Sequence, residues 1–196
     1  MKNVLWENEI VEFNNIIQLN DEELRAYQKC LLEIGKDVIA FFDEEKIDYS
    51  LSGGSILGAI RHKGFIPWDD DIDLNVTRAG YNKMIKIFEE KLGDKYYLQT
   101  PQKYPELGLL VTQIRKNGTV ARRKYDWNTK DCGVSIDIYV VENVFDNRVK
   151  RFLQKNISMI LSFSVSAIRT YNNRKIPKQL LELENRKLNY TKLKKF

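Results

Sequence analysis

The chain has 196 residues, enough for one domain with a modest appendage and for a buried core that needs no disulfide or metal staples. Hydrophobic residues make up 43% and charged residues 30%, a globular balance that excludes a disordered, collagen-like or membrane-bundle chain. The net charge of +5 conceals two unlike parts: from Arg148 onward there are 13 basic and 2 acidic residues, a net of +11, while the preceding body carries −6.

In chain order, the spacing predicts a helix over 21–45, capped by Asn20 or Asp21 with Glu23 in its first turn. Its apolar face is Leu24, Tyr27, Leu31, Ile34, Val38, Phe41 and Phe42, which recur at steps of three and four. A short strand is expected at Tyr49 to Leu51, and a second helix opening at Gly53-Gly54-Ser55 and running through Ile60. Lys63 to Asp70 reads as a loop, Ile72 to Val76 as a strand, and Tyr81, Met84, Ile85, Phe88 and Leu92 mark the next helix. Further strands are expected at Tyr96 to Thr100, Leu109 to Arg115, Thr119 to Arg122 and Gly133 to Val141, with Lys116-Asn117-Gly118 as a hairpin turn between the middle two. From Asn147 the chain reads as helical and basic. Helices interspersed with strands predict an α+β (mixed α/β) domain with a largely antiparallel or mixed central sheet flanked by helices. The expected division is a catalytic domain over 1–146 and a basic helical segment over 147–196.

The N-terminus has Glu7 where a signal peptide would need an apolar run. Cys30 and Cys132 are far apart and in no metal-ligand spacing, which suits a reducing compartment. The longest uncharged stretch, Asn156 to Ile168, is 13 residues against roughly 20 for a spanning helix. These features predict a cytoplasmic protein. The basic-flanked apolar stretch would either pack on the domain or touch the inner face of the membrane peripherally. No nucleic-acid motif accompanies the basic charge, and no nucleic-acid partner is expected.

The chemistry concentrates in Pro67-Trp68-Asp69-Asp70-Asp71-Ile72-Asp73-Leu74. Carboxylates this close raise one another's pKa unless a cation neutralises them. Strand alternation puts Asp71, Asp73 and Asn75 on one face and Ile72, Leu74 and Val76 on the other. Gly133 to Val141 repeats the arrangement, with Val134, Ile136, Ile138 and Val140 opposite Asp137. If the two strands are neighbours, Asp71, Asp73 and Asp137 converge on Mg²⁺ or Mn²⁺, which takes carboxylates together with substrate phosphate oxygens. A solvated acidic turn would account for Asp69 and Asp70, but less well for Asp73, flanked by Ile72 and Leu74.

Gly53-Gly54-Ser55 lies between a strand and a helix, where small residues let backbone approach a ligand and the helix N-terminus offers N–H groups to phosphate. Arg61, His62 and Lys63 follow that helix, either as a phosphate clamp or as a solvated basic loop. Asp69 or His62 would serve as the proton-accepting group, or the metal would activate the acceptor hydroxyl directly. Among the nearby aromatic residues, Tyr81, Tyr125, Trp127 and Tyr139 fit ordinary packing, whereas Trp68, in a loop beside the acids, is a candidate substrate contact.

The run from Gly53 to Asp73 resembles the signature of the LicD family, with Arg78 and Tyr81 fitting its continuation. Ile114 to Thr119 and Val134 to Ile138 resemble its later blocks, so the resemblance covers approximately residues 25 to 140. It implies a nucleotidyltransferase-like fold in which Gly54 and Ser55 form the turn, Asp71 and Asp73 the paired acids and Asp137 the third. It further implies a metal-dependent transferase moving phosphocholine, or another phospho-alcohol, from a CDP-activated donor to a hydroxyl of a cell-surface glycan such as lipopolysaccharide, teichoic acid or capsule. On this expectation Asp69, Asp71, Asp73 and Asp137 are catalytic, with the last three also metal ligands. Gly53, Gly54, Ser55, Arg61, His62, Lys63, Trp68 and Arg78 bind substrate. The family pattern continues beyond the third acid, whereas the basic segment here has no equivalent, which implies a short member or a truncated chain. Two other functions stay open on the residues: nucleotidyl transfer from an NTP, and a non-catalytic module binding membrane or anions.

Overall fold

The computed structural model describes residues 19–121 and 132–173. Helix α1, Asp21–Glu44, is capped by Asn20, whose side chain accepts from the backbone N–H of Glu22 and Glu23, while the Glu23 carboxylate accepts from the Asn20 N–H at 2.8 Å. This reciprocal capping satisfies N–H groups that the helix start leaves unpaired. There follow β1 (Tyr49–Leu51), α2 (Gly53–His62), β2 (Asp73–Thr77), α3 (Arg78–Leu92), β3 (Tyr96–Gln99), β4 (Thr112–Lys116), β5 (Ser135–Val141) and α4 (Arg148–Asn173).

The five strands form one mixed sheet in the order β1-β2-β5-β4-β3, in which β2 and β5 are parallel and the other pairs antiparallel. One face of the sheet presents Leu74, Val76, Ile114, Ile136 and Ile138, which form a single core with Leu31, Ile34, Val38, Phe41 and Phe42 of α1 and Met84 and Phe88 of α3. Phe88 meets Phe41 edge-on, at 6.3 Å between ring centroids. Because strand side chains alternate, burying this face commits Asp73, Asp137, Gln113 and Arg115 to the other one.

Two expected strands differ in the structure. β4 starts at Thr112 rather than Leu109, because a 3₁₀ turn at Pro105–Leu107 and the left-handed Gly108 break the extended path before it. No strand forms over Thr119 to Ala121, and Arg122 lies outside the described residues. Here one backbone bond, from the Ala121 N–H to the Cys132 carbonyl at 2.7 Å, is joined by side-chain bonds: the Thr119 hydroxyl donates to the Lys116 carbonyl at 2.8 Å and accepts from the Val134 N–H at 2.9 Å. Tyr125, Trp127 and the basic residues beyond 173 also lie outside the described residues.

The expected packing of the apolar side of α4 on the domain is not seen for most of its described apolar residues. Phe152, Leu153, Ile157, Ile160 and Phe163 are all exposed, and Arg151 bonds the carbonyls of Phe145 and Asp146 at the start of the helix. Among the described residues, no helix is long and apolar enough to cross a membrane.

The end of the sheet farthest from β1 is tied to α1 by charge. The Asp37 carboxylate accepts from Lys95 Nζ at 3.0 Å and from the Tyr96 hydroxyl at 2.9 Å. The Lys95 bond, then the Tyr96 bond, hold the Asp37 carboxyl below its ordinary pKa. A folded-state pKa below the unfolded one gives stability that is complete above the unfolded value and lost as pH falls through the folded one. Asp37→Asn is therefore expected to lower Tm at neutral pH. Its deficit against the parent should shrink between about pH 5 and pH 3, because the parent loses the same interaction there. A calorimetric Tm series against pH checks this, and a deficit that stays constant would contradict it.

Candidate active site

The acids are set by strand pairing. In the parallel β2–β5 register Asp73 stands opposite Asp137, and in the antiparallel β4–β5 register Gln113 stands opposite Asp137. Adjacent strands are about 4.8 Å apart, so the two carboxylates leave the same face of the sheet side by side. Asp71 lies two residues before Asp73, in a segment joined to β5 by the bond from the Asp137 N–H to the Ile72 carbonyl at 2.9 Å. Burial, followed by the charges of Asp73, Asp137 and Asp71, pushes the Tyr139 hydroxyl above the ordinary tyrosine pKa. Among the described residues, the acids that each place one carboxylate oxygen within 4.8 Å of the others are Asp69, Asp70 and Asp71, so Asp71 stands with the loop acids and Asp73 with Asp137 across the strand pair.

The start of α2 is built against these acids. Its N-cap, Ser52, makes no side-chain capping bond, and the Ser52 N–H instead donates to the Asp73 carbonyl at 2.9 Å. The Ser55 hydroxyl oxygen accepts from the Asp73 N–H at 2.9 Å, which leaves its own proton for another acceptor. Gly53 has φ +50, and a Cβ there would lie 2.9 Å from Asp73 Oδ2; a Cβ on Gly54 would lie 2.7 Å from Asp69 Oδ2. Side chains at these two positions would therefore occupy the space between helix start and carboxylates. Partial positive charge at the helix N-terminus offsets some of the acidic charge. The half-buried, all-oxygen donor set and its concentrated negative charge fit a hard divalent cation.

The substrate-binding residues expected from sequence fall in three places. Gly53, Gly54 and Ser55 lie at the acids, and Trp68, 77% exposed, stands on the loop that carries Asp69. Arg61, His62 and Lys63 are exposed at the opposite end of α2, about 12 Å along a ten-residue helix from Gly53. There Arg61 and His62 complement the negative helix end. Arg78 is at the far end of β2 from Asp73, where it pairs with Glu142 and faces the Tyr81 ring at 5.4 Å. The structure brings the glycine turn and the acids together, whereas Arg61, His62 and Lys63 stand at the other end of α2 and Arg78 at the other end of β2.

Three residues escape a reading of the sequence. Gln28 of α1 donates to the Asp69 carbonyl at 2.8 Å and to that of Ile66 at 3.4 Å, holding the acidic loop from outside. Gln113 Nε2 donates to Asp137 Oδ1 at 2.8 Å, and Arg115 donates in turn to Gln113 Oε1 at 2.7 Å. Gln113 and Arg115 flank Ile114 in a strand, the same polar–apolar–polar pattern as Asp71-Ile72-Asp73. That pattern was the available signal. Gln28 had none, because a glutamine on a helix surface is ordinary.

The mixed sheet, the glycine-opened helix and the in-register acids define an α+β domain with an acidic site at the start of α2. The chain belongs to the LicD family: residues 46–176 match the family described as LicD/FKTN/FKRP, nucleotidyltransferase domain. It is 42% identical over 79 residues to the lipopolysaccharide cholinephosphotransferase LicD of Haemophilus influenzae, a match covering 40% of this chain and 30% of that protein. It is 42% identical over 48 residues to the human ribitol 5-phosphate transferase FKRP, covering 24% of this chain and 10% of the relative. A longer match, 26% identical over 151 residues, is to an uncharacterized protein of Rickettsia prowazekii and covers 73% of this chain and 46% of the relative. The matched stretch thus spans less than half the length of each of these relatives.

Proposed function

We propose that this chain carries the catalytic domain of a metal-dependent transferase. Its reaction would move phosphocholine, or another phospho-alcohol, from a CDP-activated donor to a hydroxyl of a cell-surface glycan. The observation that carries this reading is the pairing of Asp73 with Asp137 on adjacent parallel strands, with the start of α2 packed against Asp73. The printed activities of the relatives, cholinephosphotransferase and ribitol 5-phosphate transferase, support the class of group transferred.

Asp71, Asp73 and Asp137 would hold Mg²⁺ or Mn²⁺, which when bound neutralises charge on the pyrophosphate and the departing CMP. The N–H groups at the start of α2 and the Ser55 hydroxyl would orient the donor phosphates. The acceptor oxygen bonds to the phosphorus that bears the alcohol, and the bond from that phosphorus to CMP breaks with its electron pair leaving on CMP. The acceptor's proton passes to a carboxylate of the cluster, for which Asp69, beside Gly54, is the proposed group. Most of the rate enhancement comes from positioning and electrostatics.

The test incubates the full chain with CDP-choline, CDP-ribitol, CTP or ATP, with Mg²⁺ or with chelator, and follows Tm and released nucleotide. Stabilisation by a CDP-alcohol only when Mg²⁺ is present, with CMP released on adding glycan acceptor, is the expected result. Stabilisation by ATP alone would favour nucleotidyl transfer instead. No stabilisation by any of the four would favour a non-catalytic module.

A further inference from the structure

From the geometry of β3, β4 and β5 we infer that Arg115 is a positioning residue that acts on Asp137 through the side-chain amide of Gln113. The inference rests on the metal-site reading of Asp137 and adds the device that aims its carboxylate. In one row across the sheet Asp137 pairs with Gln113 and Gln113 with Gln99; in the next row Ser135 pairs with Arg115 and Arg115 with Tyr97. Gln113 and Arg115 therefore point to the same face as the acid, two residues apart on one strand.

Arg115 is only 2% exposed, and Gln99 is fully buried. Among the described residues the Arg115 guanidinium donates from Nε to Gln99 Oε1 at 2.9 Å, from one terminal nitrogen to the Gly133 carbonyl at 3.0 Å, and from the other to Gln113 Oε1 at 2.7 Å. Arginine has donors only, so the amide oxygen of Gln113 must face it. That choice leaves the amide NH₂ on the other side, and it is this group that meets Asp137 Oδ1 at 2.8 Å. A carboxylate accepts and does not donate, so both ends of the amide are chemically assigned, and the usual ambiguity between its oxygen and nitrogen is removed.

A buried cation, a polarised amide and an anion in series strengthen one another's hydrogen bonds. The bond engages Oδ1 and restrains rotation of a carboxylate that stands opposite Asp73 in the strand register. Outer partners of this kind typically change ligand affinity about 10- to 100-fold when removed.

The test uses the full chain with two independent readouts. In chelator, a crystal structure of Gln113→Met should show the Asp137 carboxylate rotated or in two conformers, against one in the parent. By titration of free Mn²⁺ with electron paramagnetic resonance, Gln113→Met should weaken binding about tenfold or more. Arg115→Lys, which keeps a cation but loses the planar fork, should weaken it by less. The double variant should be no weaker than Gln113→Met alone, because Arg115 acts through Gln113. An unmoved Asp137 carboxylate in Gln113→Met overturns the inference, as do losses that multiply in the double variant. If Gln113→Met does not fold, the chelator structure of Arg115→Lys decides: a turned Gln113 amide and a displaced Asp137 support the inference, and an unmoved pair overturns it. A parent that binds no Mn²⁺ counts against the metal reading alone, and the chelator structures still decide the positioning claim.

Discussion

Replacing Asp73 or Asp137 with asparagine is expected to lower turnover of the CDP-alcohol donor by about a hundred- to a thousandfold, the scale seen when one preorganised charge-stabilising group is lost from an active site. Asparagine keeps the size and one acceptor oxygen, so the sheet should be undisturbed. What is lost is one negative charge at the point where two strands in register bring carboxylates side by side. The accompanying sign is opposite: in chelator, each variant should be as stable as the parent or more so, because a like-charge repulsion at the Asp71, Asp73 and Asp137 cluster is relieved. Turnover by released CMP and Tm in chelator together separate a functional acid from a structural one. Full turnover in both variants would remove the mechanism proposed above.

The second large effect is expected from a single methyl group. Gly58 is buried in α2, one turn beyond Gly54, and a Cβ there would lie 2.5 Å from the Gly64 carbonyl oxygen, 3.0 Å from the Ile66 nitrogen and 3.3 Å from the Phe65 carbonyl carbon. All three are backbone atoms, so no side-chain rotation relieves the clash, and the loop must move off the helix. In an exposed helix, alanine would gain about 1 kcal/mol over glycine. Here the overpacking should dominate, for a net loss of about 2 kcal/mol, or roughly 5 °C in Tm. The loop that must move leads directly to Asp69, whose carbonyl is held by Gln28, so Mn²⁺ and donor binding should weaken together with stability. Gly64→Ala is the control, since a Cβ there meets nothing within 4 Å and should leave Tm nearly unchanged. Equal Tm values for the two variants would show that the close approach does not constrain the loop.

The two variants differ in how far each was foreseeable. The acids stand out because a charged residue between Ile72 and Leu74 is anomalous in an apolar strand, and because Asp137 repeats the anomaly. Gly58 does not, since nothing in Leu57-Gly58-Ala59 distinguishes a helix glycine kept for contact from one kept by chance. The same division separates Ser55 from Arg61: both lie on α2, but only Ser55 is at the end beside Asp73. Proximity in sequence placed Arg61, His62 and Lys63 near the acids, whereas a ten-residue helix carries them to its opposite end.

Local periodicity and chemistry were enough to establish the α+β class, the helices α1, α2 and α3, and the strands that carry Asp73 and Asp137. Those features depend on side-chain alternation and apolar spacing within a few residues, which the chain carries openly. Strand order, the parallel β2–β5 register, the close approach at Gly58 and the Arg115–Gln113–Asp137 series required the folded chain. Each of these depends on which distant segments become neighbours, and the shared core of α1, α3 and the sheet settles that by burying one face and leaving the other to the acids. The opening contrast between a −6 body and a +11 segment also takes a spatial form. Asp69 and Asp73 of the acidic body stand against the start of α2, and the described part of the basic segment forms α4, on which Phe152, Leu153, Ile157, Ile160 and Phe163 are exposed.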